Sequence, residues 1–132
     1  MIVAKGTFEV KMAPVAADTI AAEAGLGMYS IDKTIRGDLE GTTKGQMMAT
    51  SVEGGSGAYV ALEKVTATLN GHKGTFVLVH RGLMNKGAAE LTVTVVPDSG
   101  TGELTGLTGT FDIKINDGKH LYAFSYTLPA KP

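Results

Sequence analysis

Ile2, Ala4, Gly6, Phe8, Val10 and Met12 alternate with Val3, Lys5, Thr7, Glu9 and Lys11, a period of two that predicts a strand with one dry face, ended at Pro14. The alanine-rich stretch 16–27 predicts a single short helical turn or an ordered loop, with Asp18 as N-cap and Gly25 as the stop, lying over one end of the molecule. Tyr29, Ile31, Ile35 and Leu39 share one parity and predict a second strand over 28–41. A turn rich in Gly and Thr then leads to a third strand over 46–52, and Gly54, Gly55 and Gly57 mark the next reversal.

The fourth and fifth strands, 58–69 and 72–84, are joined by Asn70-Gly71, a pair suited to a type I′ turn because both central residues need positive φ. A two-residue loop sets Leu69 opposite His72, Val65 opposite Phe76, Glu63 opposite Leu78 and Ala61 opposite His80. Tyr59, Ala61, Glu63, Val65, Phe76, Leu78 and His80 then share one face, which makes the better interior; Val60, Leu62, Val77 and Val79 fall on the other. A sixth strand is predicted over 90–96 and a long polar loop over 97–109. Asp117-Gly118 closes the last hairpin, setting Ile115 opposite His120, Ile113 opposite Tyr122 and Phe111 opposite Phe124. Short antiparallel connections and a dry face on every strand leave a sandwich or a closed barrel. Phe8 on the first strand and Phe124 and Tyr126 on the last would share one lining if those strands pair. The expected fold is therefore all-β, an eight-stranded antiparallel up-and-down barrel forming a single domain over 1–132.

Composition narrows the partners. Twelve Lys and Arg against thirteen Asp and Glu leave a net charge of -1, too little to hold a nucleic-acid backbone. The absence of cysteine excludes disulfides, thiolate metal sites and thiol nucleophiles. No stretch has the length and apolarity of a membrane-spanning helix, and Met1 to Val10 lacks the apolar core of a signal peptide, so the expected location is the cytoplasm. His72, His80 and His120 have no paired metal-ligand spacing, and Gly100, Gly102 and Gly106 miss the dinucleotide-binding spacing by one residue. Neither a metal nor a cofactor is expected. Gly-Thr-Phe recurs at Gly6, Gly74 and Gly109 without a constant period, and these glycines are expected to relieve crowding where a closed sheet bends.

Several stretches carry a family resemblance: Gly37-Asp38-Leu39-Glu40 through Lys44-Gly45, Tyr59 to Val65, Gly74 to Leu78 with His80, Val95 to Leu104, and Asp117-Gly118-Lys119-His120. Through them essentially the whole chain resembles a bacterial family of small proteins, domain-of-unknown-function family 3224, with Arg36 and Val79 standing where members often have histidine and glutamine. The resemblance implies a barrel of the allene oxide cyclase type and no known reaction.

Glu63 and His80 form the sharpest constellation, diagonal neighbours on one strand pair with only Ala61 between them. Desolvation in an apolar lumen is expected to raise the carboxyl pKa and poise the pair for proton transfer, with Tyr59 as hydrogen-bond donor to an oxyanion. The alternative is a structural polar pair that fixes register. Tyr29, Phe76, Phe111, Tyr122, Phe124 and Tyr126 are expected to line a small-molecule site. The leading functional expectation is a protein that binds a small, partly apolar molecule in its lumen. The runner-up is a cofactor-independent isomerase or cyclase using Glu63 and His80. The outward Val60, Leu62, Val77 and Val79, bordered by Lys64 and Arg81, imply a homo-oligomer, dimer first and tetramer second.

Overall fold

A computed structural model describes residues 1–16 and 18–129. Residue 17, in the alanine-rich stretch, and the last three positions of the expected 1–132 domain lie outside the described residues. The strands run in chain order as β1 (Ile2–Pro14), β2 (Gly27–Gly37), β3 (Leu39–Val52), β4 (Ser56–Leu69), β5 (His72–Asn85), β6 (Ala88–Val95), β7 (Thr108–Asn116) and β8 (Lys119–Thr127), with helix α1 (Thr19–Glu23) after the first. Each strand pairs with the next and β8 returns to β1, closing the barrel. The closing pairs include Ala4 with Phe124 and Phe8 with His120, which places the aromatic residues of both chain ends in one lining as expected.

Both hairpin registers are those the turn residues dictate, Leu69 opposite His72 and Ala61 opposite His80 in the first, Phe111 opposite Phe124 in the second. Asn70 and Gly71 have φ of 46° and 88°, and Asp117 and Gly118 of 52° and 78°, the doubly positive pattern of a type I′ turn. The parity is also as expected: Val65, Phe76 and Glu63 are fully buried, whereas Val60, Leu62 and Val79 face outward with Met48. Asp18 caps α1, its carboxylate accepting from the Ala21 amide at 2.8 Å, and the helix packs against β2.

Two regions differ from the sequence reading, the junction of the second and third strands and the stretch 97–109. The second strand stops at Gly37 instead of running to 41, and the third begins at Leu39 instead of 46. The chain reverses at Gly37, whose φ of 110° suits glycine, while the Asp38 carboxylate accepts the Lys5 amide at 3.0 Å. Gly41 and Gly45, which read as turn residues, are inward strand positions. A Cβ on Gly41 would stand 2.6 Å from Ala67 Cα, and one on Gly45 2.8 Å from Glu63 Cα, so glycine there answers a close strand approach. The stretch 97–109 is also more than a polar loop. It carries a 3₁₀ turn (Gly102–Leu104), and Leu104 and Leu107 are buried to 0% and 1% exposure, plugging one end of the barrel. Its backbone follows the half of β5 that β6 leaves unpaired: the Thr101 amide donates to Thr75 O at 2.8 Å and the Val77 amide to Ser99 Oγ at 3.0 Å.

The barrel therefore has a closed end and an open one. Leu39, Leu69, Val65, Phe76 and Phe124 pack with Leu104 and Leu107 at the closed end. At the other end β3 to β6 continue as long strands, and β6 meets β7 through only two residue pairs, Val93 with Phe111 and Thr94 with Thr110.

Candidate functional site

Between the two ends lies a buried polar cluster. Glu63 is fully buried, His80 is 5% exposed and Thr43 2%, three polar residues enclosed in an apolar barrel. Lys33 reaches in from β2: its Nζ donates to Glu63 Oε1 at 3.1 Å and lies 4.8 Å from the centre of the Phe8 ring. Thr43 Oγ1 donates to Glu63 Oε2 at 2.5 Å. His80 Nε2 lies 2.7 Å from Glu63 Oε1.

These contacts reverse the expected direction of the Glu63 pKa. Burial works to raise it, but the hydrogen bond from His80, the Lys33 ammonium and the Thr43 hydroxyl together outweigh burial and bring it down to about 2. Desolvation alone was the wrong guide, because the carboxylate is taken from water into three donors. Glu63 is therefore an anion, and an anion only accepts hydrogen bonds. It follows that Nε2 of His80 carries the proton and donates to Oε1. No hydrogen bond reaches His80 Nδ1, and no buried side-chain nitrogen or oxygen among the described residues lacks a partner, so Nδ1 borders space that a water-sized molecule enters.

Tyr59 sits one inward position nearer the open end, opposite Gly82, and its ring lies against that glycine where a Cβ would collide with it. Burial, and then the Glu63 charge, raise the Tyr59 phenol above its usual value, so it stays protonated at neutral pH. Beside it opens a cavity of about 430 Å³ among Met47, Ala49, Tyr59, Gly82, Met84 and Leu91, on the inner surface of the long β3–β6 sheet. His80 and Ala61 form the next inward row below Gly82 and Tyr59, about 7 Å along the strands.

The other aromatic residues named from the sequence are not brought to this cavity. Phe111 stacks on Phe124 with ring centres 4.0 Å apart, Phe76 and Tyr126 flank Phe124 at 6.0 Å and 5.2 Å, and together they fill the closed end as core. Tyr126 also accepts a hydrogen bond from Asn70 Nδ2 at 2.8 Å. The Tyr122 hydroxyl accepts from the Leu39 amide at 3.1 Å and stands 2.9 Å from Arg36 O and 3.0 Å from Leu39 O, donating to one of them. It is a structural latch. Tyr29 is half-buried, its ring covering Gly27. His120 is half-buried against Phe8, ring centres 5.0 Å apart.

Lys33 and Thr43 were not singled out from the sequence, and only one of them was findable there. Lys33 lies between Ile31 and Ile35 with the same parity, so alternation alone turns a lysine toward the lumen. Thr43 was hidden by the misplaced turn. Among the described residues no group of three or more His, Cys, Asp or Glu is arranged to hold a metal ion, and no helix is long and apolar enough to cross a membrane.

A closed eight-stranded antiparallel barrel with one plugged end and a carboxylate held in its middle by lysine, threonine and histidine defines the class of protein. The chain belongs to the DUF3224 family, described as proteins of unknown function, whose model matches residues 4–126. It is similar to a crystal structure of a protein of unknown function from that family, from Shewanella oneidensis MR-1, with 43% sequence identity over 99% of each chain and a TM-score of 0.89. Among curated proteins nothing matches.

Proposed function

We propose that this barrel binds one small, mostly apolar molecule at its open end, in the trough between Met47, Tyr59, Gly82 and Leu91. The observation that carries the reading is the trough itself, about 430 Å³ with an almost wholly apolar lining, a size suited to a single small organic guest. Glycine at position 82 supports it, because any larger inward residue there would displace Tyr59 into the space. The competing reading, an isomerase or cyclase using Glu63 as acid or base, is the weaker one. A carboxylate held near pKa 2 has no proton to give at neutral pH and little appetite for one, and both its oxygens are already engaged.

A neutral fluorescent probe, N-phenyl-1-naphthylamine, tests the reading. Its emission is expected to rise saturably on addition of the protein, to one equivalent per chain. Ala49→Trp, which puts an indole into the trough at a half-buried position, is expected to weaken the probe at least tenfold while leaving the melting temperature within a few degrees. Equal binding by the Ala49→Trp protein, or no saturable binding by the wild type, removes the trough as a site.

A further inference from the structure

The floor of the trough specifies what kind of guest it takes, given the binding reading above. Tyr59 reaches across the sheet to lie over Gly82 on the next strand: a Cβ at position 82 would stand 2.6 Å from Cδ1 of the ring and 3.0 Å from Cζ. The hydroxyl, one C–O bond beyond Cζ, is therefore carried over Gly82. Tyr59, Gly82 and Leu91, the β6 partner of Gly82, all line the trough. Among the described residues this hydroxyl has no hydrogen-bond partner, and since no buried side-chain oxygen there is left unsatisfied, it opens onto space that water enters. The other polar side chains of the trough lie elsewhere. Ser56 Oγ accepts from the Lys86 amide at 3.0 Å, Thr50 and Glu90 have the outward parity of their strands, and Ser51 is exposed near the tip of β3. The remaining inward side chains, Met47, Ala49, Met84, Ala89 and Leu91, offer no more than a thioether. The phenol keeps its proton at neutral pH, because burial and then the Glu63 charge push its pKa up.

We propose that the Tyr59 hydroxyl donates to a carbonyl oxygen, so that the guest is a neutral, largely apolar ketone, aldehyde or ester. A phenol is a better donor than acceptor, since its oxygen shares a lone pair with the ring. A carbonyl brings an acceptor and nothing else. An alcohol of the same outline brings a proton as well, which finds no side-chain acceptor once the phenol is donating and is buried unpaired. A hydrocarbon leaves the phenol unanswered. A carboxylate is disfavoured by the same Glu63 charge that the phenol feels.

The test uses displacement of N-phenyl-1-naphthylamine from the full chain by three naphthalenes of one outline. These are 2-acetonaphthone, 2-isopropenylnaphthalene, which has CH₂ in place of the carbonyl oxygen, and 1-(2-naphthyl)ethanol. Tyr59→Phe is expected to weaken the ketone, relative to the hydrocarbon, about tenfold, the yield of one hydrogen bond. Its melting temperature is expected to stay within a few degrees of the wild type, because no bond within the protein is lost. The wild type is expected to hold the ketone more tightly than the alcohol. A ¹³C label in the carbonyl is expected to resonate further downfield bound to the wild type than bound to Tyr59→Phe. An unchanged ratio, or the same carbonyl shift in both proteins, overturns the role of Tyr59 while leaving the trough as a site. Equal binding of ketone and alcohol by the wild type overturns the carbonyl assignment. A large fall in the melting temperature of Tyr59→Phe shows that the hydroxyl already serves the fold, and overturns the inference as well. If none of the three displaces the probe, or the probe does not bind, the binding reading itself fails and this inference with it.

Discussion

Replacing Glu63 by glutamine is expected to destabilise the barrel by about 3–5 kcal/mol at neutral pH, the cost of leaving one member of a buried ion pair without its partner. Glutamine has the same outline but turns an NH₂ toward at least one of the donors that now point at the carboxylate, and it leaves the Lys33 ammonium, only 11% exposed, without its counter-charge. The effect has a pH signature. The folded carboxyl titrates near 2 and the unfolded one near 4.5, so its stabilising contribution is complete above about pH 4.5 and is lost as pH falls toward 2. That shift corresponds to on the order of 3 kcal/mol. Urea unfolding of wild type and Glu63→Gln at pH 7 and at pH 3 is expected to show a large gap that narrows in acid. A gap that is absent, or that does not change with pH, contradicts the description of Glu63 as a buried anion.

The second large effect is steric. In Gly6→Ala the new methyl would lie 2.6 Å from the Tyr122 hydroxyl and 2.9 Å from its ring, and it would run into Arg36 O on the neighbouring strand. Gly6 pairs with Gly37 on one side and with Tyr122 on the other, and the hydroxyl between them is the latch to Leu39. There is no flexible side-chain end to yield. The expected loss is about 3 kcal/mol, at the upper end of overpacking costs, or a fall in melting temperature of roughly 10 °C for a chain of this size. Thr7→Ala, one residue away on the outer face, serves as control and is expected to change stability by less than about 0.5 kcal/mol. Scanning calorimetry of the two variants decides between crowding and a general sensitivity of β1.

The barrel was legible where turn chemistry and alternation agreed. Asn70-Gly71 and Asp117-Gly118 admit only tight turns, and once a two-residue loop is granted, every pairing up to Ala61 with His80 and Phe111 with Phe124 follows by counting. The reversal at Gly37 was missed because glycine carries two meanings. Gly41 and Gly45 look like turn residues in a one-dimensional string, whereas their cause is the closeness of Ala67 and Glu63 across the sheet, a contact between residues far apart in sequence. The same ambiguity was read correctly at Gly74 and Gly109, where an added Cβ would press on the backbone of Thr101 and of Tyr126. At the site, Glu63 and His80 were found because they share a hairpin. Their electrostatics were not, because the sign of a buried carboxyl's shift depends on the donors around it, and Lys33 and Thr43 arrive from two other strands. The aromatic residues were sorted by face correctly, but alternation says nothing of height along the barrel. Height separates the stacked rings of the closed end from Tyr59.

The brevity of the junction between β6 and β7 bears on how the protein behaves in a crowded solution. Beyond Thr92 on one strand and Asp112 on the other, the two strands run on without each other, so a stretch of each offers unclaimed amides and carbonyls of the kind that recruit foreign strands into aggregates. Glu90 stands on one of these margins and Asp112 and Lys114 on the other, all solvent-facing. A foreign strand pairing there would have to strip these charges of water, a cost that lets the ring stay incompletely sealed without becoming sticky.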